Sequence, residues 1–306
     1  MEIIKPGINI DLVGKMKIAF AASLFAIIVS IASLILHGGP NLGIDFAGGT
    51  MVQIKFSQET SADRIRDSLR TIGLGNSVIQ RFGYHDNNEF LVKTEKSSSA
   101  IEGLSNKIEE ALETSYSKGD FEIRRVEVVG PKVGKDLRGK GMLAMLYAVI
   151  GILIYVTWRF ELRYAVGAVM ALIHDVLITV GIFSLLDKEF TLPIIAALLT
   201  IIGYSLNDTI VVYDRIRENI KGIKKQSLKE TINASINQVL SRTVLTSATT
   251  LIVVIALFFL GGAVIHDFAF ALLIGILVGT YSSIFIASPI VLVWESVSPS
   301  KQKRKN

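Results

Sequence analysis

The sequence predicts an α-helical membrane protein with six transmembrane helices and one small α+β domain of ferredoxin-like order between helices one and two. Three observations carry this. Half of the 306 residues are hydrophobic, only 19% are charged, and the mean hydropathy is +0.50, whereas a soluble domain holds nearer a quarter charged residues. Six apolar runs, at 18–36, 142–156, 164–186, 192–213, 243–260 and 268–294, approach the roughly 20 residues needed to cross a bilayer. Between the first two runs, about 100 residues switch to the short alternating pattern of strands and amphipathic helices.

Composition also excludes several classes. There are no cysteines, so disulfide, thiolate and Cys-metal chemistry are out, and four histidines make a multi-His metal site unexpected. The net charge of +5 comes from basic residues that flank the apolar runs outside the long segment. They form no aromatic-interleaved patch of the kind that binds single strands, so no nucleic-acid partner is expected.

Residues 1–17 read as a cytoplasmic arm and 18–36 as an anchor, not a cleaved signal, because the run is too long and no small-x-small site follows. Lys5, Lys15, Lys17, Arg159, Arg163, the basic cluster at 215–229, Arg242 and the tail at 301–305 fall on one side; the short loops opposite offer only Lys188. The basic side is expected to be cytoplasmic, with both termini inside.

The segment 37–140 is then external. Residues 50–56 alternate as a strand, Ser61 caps an amphipathic stretch to Ile72, and strands at 77–82 and 89–94 flank the turn-forming Gly83-Tyr84-His85-Asp86-Asn87-Asn88. Ser98 or Ser99 opens a helix through Glu113, and 121–129 closes as a strand. The order β-α-β-β-α-β is the split βαβ arrangement.

Two glycine-bearing stretches border this domain. In Gly43-Ile44-Asp45-Phe46-Ala47-Gly48-Gly49-Thr50 the spacing of Gly43 and Gly48 nearly matches a phosphate loop, but Gly49 stands where the phosphate-binding Lys belongs and no helix follows. The structural reading is therefore preferred: glycines allowing tight turns and positive φ where the chain leaves the membrane. Gly130, Pro131 and Gly134 are expected to do the same at the return.

The domain leads into spans two to six within 141–294. Span three carries His174 and Asp175 near mid-membrane, with Gly167, Ala171, Asp175 and Thr179 on one face. A charge there must be protonated, paired or facing water, and a neutral packing role stays open. Span four places Thr200, Tyr204 and Asp208 at i+4 spacing, with Gly203 and Asn207 alongside. Span five offers Arg242, Thr246 and Thr249 or Thr250 as a matching stripe; Arg242 reads as a partner of Asp208 at similar depth or as a snorkelling anchor. Residues near 226–242 suggest an amphipathic helix on the cytoplasmic surface. In span six Gly275, Gly279, Ser283 and Ala287 form a close packing face, for this chain or for a partner. Residues 295–306 form a basic tail.

Several stretches together resemble one family. The layout of one span, an external domain and five spans is that of a half-transporter of the resistance-nodulation-division (RND) superfamily. Gly-Ile-Asp-Phe-Ala-Gly-Gly at 43–49, Val129-Gly130-Pro131-Lys132-Val133-Gly134, Tyr204-Ser205-Leu206-Asn207-Asp208-Thr209 with its continuation through Asn219, and Asn237-Gln238-Val239-Leu240-Ser241-Arg242-Thr243 resemble the SecF family of protein-export subunits. The resemblance implies a SecD partner, a place beside the SecYEG channel with YajC, and use of the proton-motive force to move unfolded preprotein outward after the ATP-driven step of SecA. It further implies that Asp208 and Arg242 take part in proton coupling, with Tyr204, Asn207, His174 and Asp175 as candidates beside them, and that protons are the coupling ion with no other cofactor. The alternative is an RND-type exporter half for small molecules or lipids, and a third reading is a purely structural assembly factor. No nucleophile–base pair or metal constellation points to an enzyme.

Overall fold

A computed structural model describes residues 9–82, 88–94, 104–222 and 227–297. All but Asn88 of the turn expected at 83–88, the helix start at Ser98 or Ser99, Lys5, part of the basic cluster and the tail at 301–305 lie outside the described residues.

The helix α1 (Met16–Leu36) crosses first, and a single turn α2 (Ile44–Ala47) leads into β1 (Gly49–Phe56). The external domain continues through α3 (Ala62–Arg70), β2 (Val78–Phe82), β3 (Glu89–Thr94), α4 (Leu104–Glu113) and β4 (Phe121–Val129). Its sheet has the order β2-β3-β1-β4 with antiparallel neighbours, which is the arrangement the split βαβ reading requires. One face of β1 supplies Val52, Ile54 and Phe56 to a core closed by Ile65 and Leu69 of α3 and Ile108 and Leu112 of α4. Ser61 starts α3 by accepting the Arg64 N–H at 3.3 Å, the local bond that satisfies an otherwise orphan helix donor.

The remaining spans are α5 (Pro131–Arg159), α6 (Leu162–Leu185), α7 (Leu192–Gly222) and α8 (Leu228–Leu260). Then come α9 (Gly262–Ser282), a π-helical turn at Ser283–Ala287, and α10 (Ser288–Val297). Six segments are long and apolar enough to cross a membrane. Half of α6, α7 and the last span is buried inside the bundle, whereas α1, α5 and α8 expose most of their apolar surface. The central layer is therefore α6, α7 and α9, with α1, α5 and α8 outside it.

Two sequence expectations need correction. The amphipathic stretch before span five is not a separate helix on the surface. With no Gly or Pro between Leu228 and Leu260 to break it, α8 runs unbroken for 33 residues, about 50 Å at 1.5 Å per residue. Its apolar residues Ile232, Ile236, Val239 and Leu240 pack in one cluster with Val212, Tyr213 and Ile216 of α7. At its start the side-chain amides of Asn233 and Asn237 grip the chain's arm, Asn233 accepting from the backbone N–H of Leu12 and Val13 at 3.0 and 3.1 Å.

The second correction concerns Gly130, Pro131 and Gly134. Only Gly48 and Gly49 adopt the positive φ expected of the border glycines, at 77° and 132°. Gly130 is an extended N-cap, Pro131 is the first residue of α5, and Gly134 is helical. Its value is space: a Cβ there would stand 3.0 Å from the Phe46 carbonyl oxygen and 3.1 Å from the Gly48 nitrogen, so α5 can lie directly on α2.

Candidate functional site

Two carboxylates lie inside the bundle. Asp175 of α6 is 1% exposed and Asp208 of α7 is 2% exposed. An unsatisfied polar group costs several kcal/mol in such surroundings, so their partners define the site.

Asp175 is fully engaged. Its Oδ2 accepts the hydroxyls of Ser205 (α7) at 2.6 Å and Ser282 (α9) at 2.8 Å, and its Oδ1 lies 2.8 Å from Nδ1 of His174. One side chain therefore pins three central helices together. The face Gly167, Ala171, Asp175, Thr179 is buried along its length, and Thr179 donates back to the Asp175 carbonyl at 2.8 Å. The His174 ring, 3% exposed, stacks on Tyr281 with centroids 6.0 Å apart, and its Nε2 has no hydrogen-bond partner among the described residues. Tyr281 in turn donates to the Ala19 carbonyl of α1 at 2.7 Å and lies 2.9 Å from the Ser23 hydroxyl.

Asp208 has a looser partner. Ser247 of α8 donates to its Oδ2 at 3.4 Å, and the same hydroxyl is 2.7 Å from Thr280 Oγ1 on α9 and accepts the Tyr204 hydroxyl at 3.4 Å. Arg242 does not bond to Asp208 among the described residues. It is exposed and sits five residues before Ser247, about 7.5 Å further along α8. The matching stripe on α8 does not form either. Thr246 and Thr249 return their hydroxyls to the carbonyls of Arg242 and Leu245 on their own helix, as hydroxyls do in apolar surroundings. From Thr243 onward the buried residues of α8 are Thr243, Ser247 and Val254 instead.

The stripe on α7 also divides. Asp208 faces inward and Tyr204 is half-buried, while Thr200, Gly203 and Asn207 face outward. On span six the small residues pack within this chain. A Cβ at Gly275 would collide with Ile201 of α7, and one at Gly279 would come within 3.0 Å of Ser205 Cβ. Ser283 and Ala287 are buried in the π-helical turn, an irregularity frequent at functional positions.

The consecutive residues Thr280, Tyr281 and Ser282 thus reach Ser247 and through it Asp208, the His174 ring with α1, and Asp175. Sequence reasoning missed Ser205, Ser247, Thr280, Tyr281 and Ser282. The signal was a run of four polar residues, Thr280-Tyr281-Ser282-Ser283, inside an apolar span.

At the domain border, Asp45 Oδ2 accepts the Leu192 N–H that opens α7, at 2.8 Å, and Gly43 N–H donates to the Phe190 carbonyl at 3.0 Å. The glycine-rich stretch thus holds backbone and caps a helix. Among the described residues no cluster of three or more His, Cys, Asp or Glu could hold a metal ion.

Comparison with known proteins places this architecture. A family model described as "Protein export membrane protein SecD/SecF, C-terminal" matches residues 107–297, and one described as "SecD/SecF GG Motif" matches residues 33–60. The chain is 51% identical over 304 residues to a protein translocase subunit SecF of Magnetococcus marinus, covering 98% of this chain and 97% of that one. It is 48% identical to the SecF of Vibrio alginolyticus, covering 95% and 91%. The crystal structure of SecDF from Thermus thermophilus, a translocon-associated membrane protein, superposes with a TM-score of 0.86 at 39% identity over 95% of this chain. This chain spans only 39% of that longer one. SecDF in a super-membrane-facing form gives a TM-score of 0.72 at 38% identity, over 100% of this chain and 41% of that one. Matched over nearly its whole length by such relatives, this multi-pass membrane protein belongs to the SecF family of protein translocase subunits.

Proposed function

We propose that this chain couples the proton-motive force to the late, outward movement of unfolded preprotein, as a non-enzymatic accessory subunit of the Sec machinery. Asp208 is the principal proton-accepting group. Arg242 acts on it through space, and Tyr204 and Asn207 border it on α7. Asp175 with His174 forms a second buried proton-binding pair joined to Asp208 through α9. The partners are a SecD-type subunit, the SecYEG channel and YajC. Protons are the coupling ion, with no other cofactor, nucleotide or nucleic acid. The chain sits in the cytoplasmic (inner) membrane with both termini in the cytoplasm, since basic residues collect at the end of the bundle opposite the external domain.

The observation that carries this reading is the pair of carboxylates, each at most 2% exposed, reached from Thr280 (through Ser247) and Ser282 of one helix in the centre of a membrane bundle. Ionisable groups kept at that depth are expensive and mark proton or ion pathways. The SecDF chain, of which this chain spans 39%, supports a SecD partner covering the remainder. Similarity falls from a TM-score of 0.86 to 0.72 between two solved SecDF structures at nearly equal identity, which fits a machine that changes shape.

The test is Asp208→Asn in cells depleted of the native chain. The variant should insert at normal levels while export of a pulse-labelled preprotein falls to the rate seen without the chain. Wild-type export would refute the coupling role.

A further inference from the structure

The short connection between α6 and α7 bonds to the rest of the molecule at nearly every residue. Asp187, held at a φ of 48°, receives the Asn41 side-chain amide on its Oδ1 at 3.0 Å. Lys188 donates to Asp267 near the start of α9 at 2.6 Å. Glu189 pairs with Lys93 of strand β3, both side chains largely buried. The Phe190 backbone exchanges hydrogen bonds with Asn41 and Gly43 at 2.6 and 3.0 Å, and its ring lies 6.2 Å from that of Phe46. Leu192 then opens α7 under the Asp45 carboxylate, a favourable place for a negative charge.

Elsewhere the sheet stands away from the bundle. A cavity of about 590 Å³ separates its open face, at Met51, Gln53 and Leu91, from the loops below. Beyond the covalent connections through α2 and α5, the Lys93–Glu189 ion pair joins the sheet to this segment. From it α7 continues without a break to Asp208, about 24 Å away. A helix of that length moves as a rigid element and carries a displacement from one end to the other.

We propose that the α6–α7 connection is the joint through which α7 drives the external domain, with Asp45 and Glu189 as its positioning residues and Lys93 as the contact on the sheet. This rests on the reading of Asp208 as the coupling group. Small shifts of α7 on proton uptake reach the sheet because Glu189 and Asp45 tie the start of α7 to β3 and to the turn feeding β1. Neither residue handles the proton.

The test uses the full chain with its SecD-type partner in proteoliposomes and in depleted cells, carrying Lys93→Glu, Glu189→Lys or both. Each single reversal should lower export about tenfold while proton uptake persists, and the double reversal, which restores an ion pair, should recover most of it. Asp208→Asn, in contrast, should abolish both activities. Export at the wild-type rate in the single variants overturns the joint. So does loss of proton uptake together with export, unrelieved in the double variant, because the contact then only supports the fold. Backbone hydrogen exchange of the purified chain gives a readout independent of protons. It should rise at both 89–94 and 187–192 in the single variants and return in the double. Unchanged exchange overturns the joint even where Asp208→Asn abolishes export.

Discussion

Asp175 offers the sharpest energetic test of the membrane core. Three donors from three helices, His174, Ser205 and Ser282, converge on its carboxylate at 2.6 to 2.8 Å. A neutral hydrogen bond between membrane helices is worth only about 0.6 kcal/mol on average. Bonds to a charged acceptor are roughly twice as strong, so three of them give about 4 kcal/mol. Asp175→Asn keeps the shape but sets an amide N–H against donors, forfeiting about 2–4 kcal/mol of this. For a protein of this size that corresponds to a fall of roughly 3–6 °C in melting temperature, measurable by thermal unfolding in detergent. The decisive measurement is a double-mutant cycle with Ser205→Ala. Removing Ser205 should cost about 1 kcal/mol in the native background and close to nothing once Asp175 is replaced. Strict additivity, or an Asp175→Asn variant as stable as the native chain, would refute the picture of a carboxylate holding α6, α7 and α9.

Other outcomes follow from the same geometry. Since Arg242 does not bond to Asp208, their substitutions to Ala and Asn should add in stability to within about 0.5 kcal/mol. Export should nevertheless be no lower in the double variant than in either single one. Gly275→Leu forces a side chain against Ile201 of α7 and should cost about 1–3 kcal/mol by overpacking, read as reduced thermal stability. Gly48→Ala meets both a φ of 77° and the Pro131 backbone at 2.9 Å. It should destabilise the domain border by about 1–3 kcal/mol, seen as faster hydrogen exchange at the start of α5. Ser227→Ala removes the capping box that Ser227 and Glu230 form at α8 and should cost about 1 kcal/mol, confined in exchange experiments to the first turn.

Ser247 shows how far a sequence can carry the site. Asp208 and Asp175 declare themselves as carboxylates in apolar runs, because burying such a group is costly enough to demand a reason. A serine in the same run demands none: it can return its hydroxyl to its own helix, as Thr246 and Thr249 do. Which of the hydroxyls on α8 meets Asp208 depends on the rotation of that helix against α7 and α9, a property of packing. The same rotation left Arg242 exposed, and that of α7 placed Asn207 on the outer face.

By itself the sequence determined the six spans and the strand order of the external domain. Hydrocarbon thickness sets the length of an apolar run, and one-sided burial sets the period of a strand and an amphipathic helix. It also marked the two buried carboxylates. Only the tertiary structure decided what touches them: Ser205 and Ser282 on Asp175, Ser247 on Asp208, and one stretch of α9 reaching both. It also decided that the connection before α7 grips the external sheet through Glu189 and Lys93. Contacts between residues 30 to 107 positions apart leave no local periodicity, since they arise from how rigid helices pack against one another.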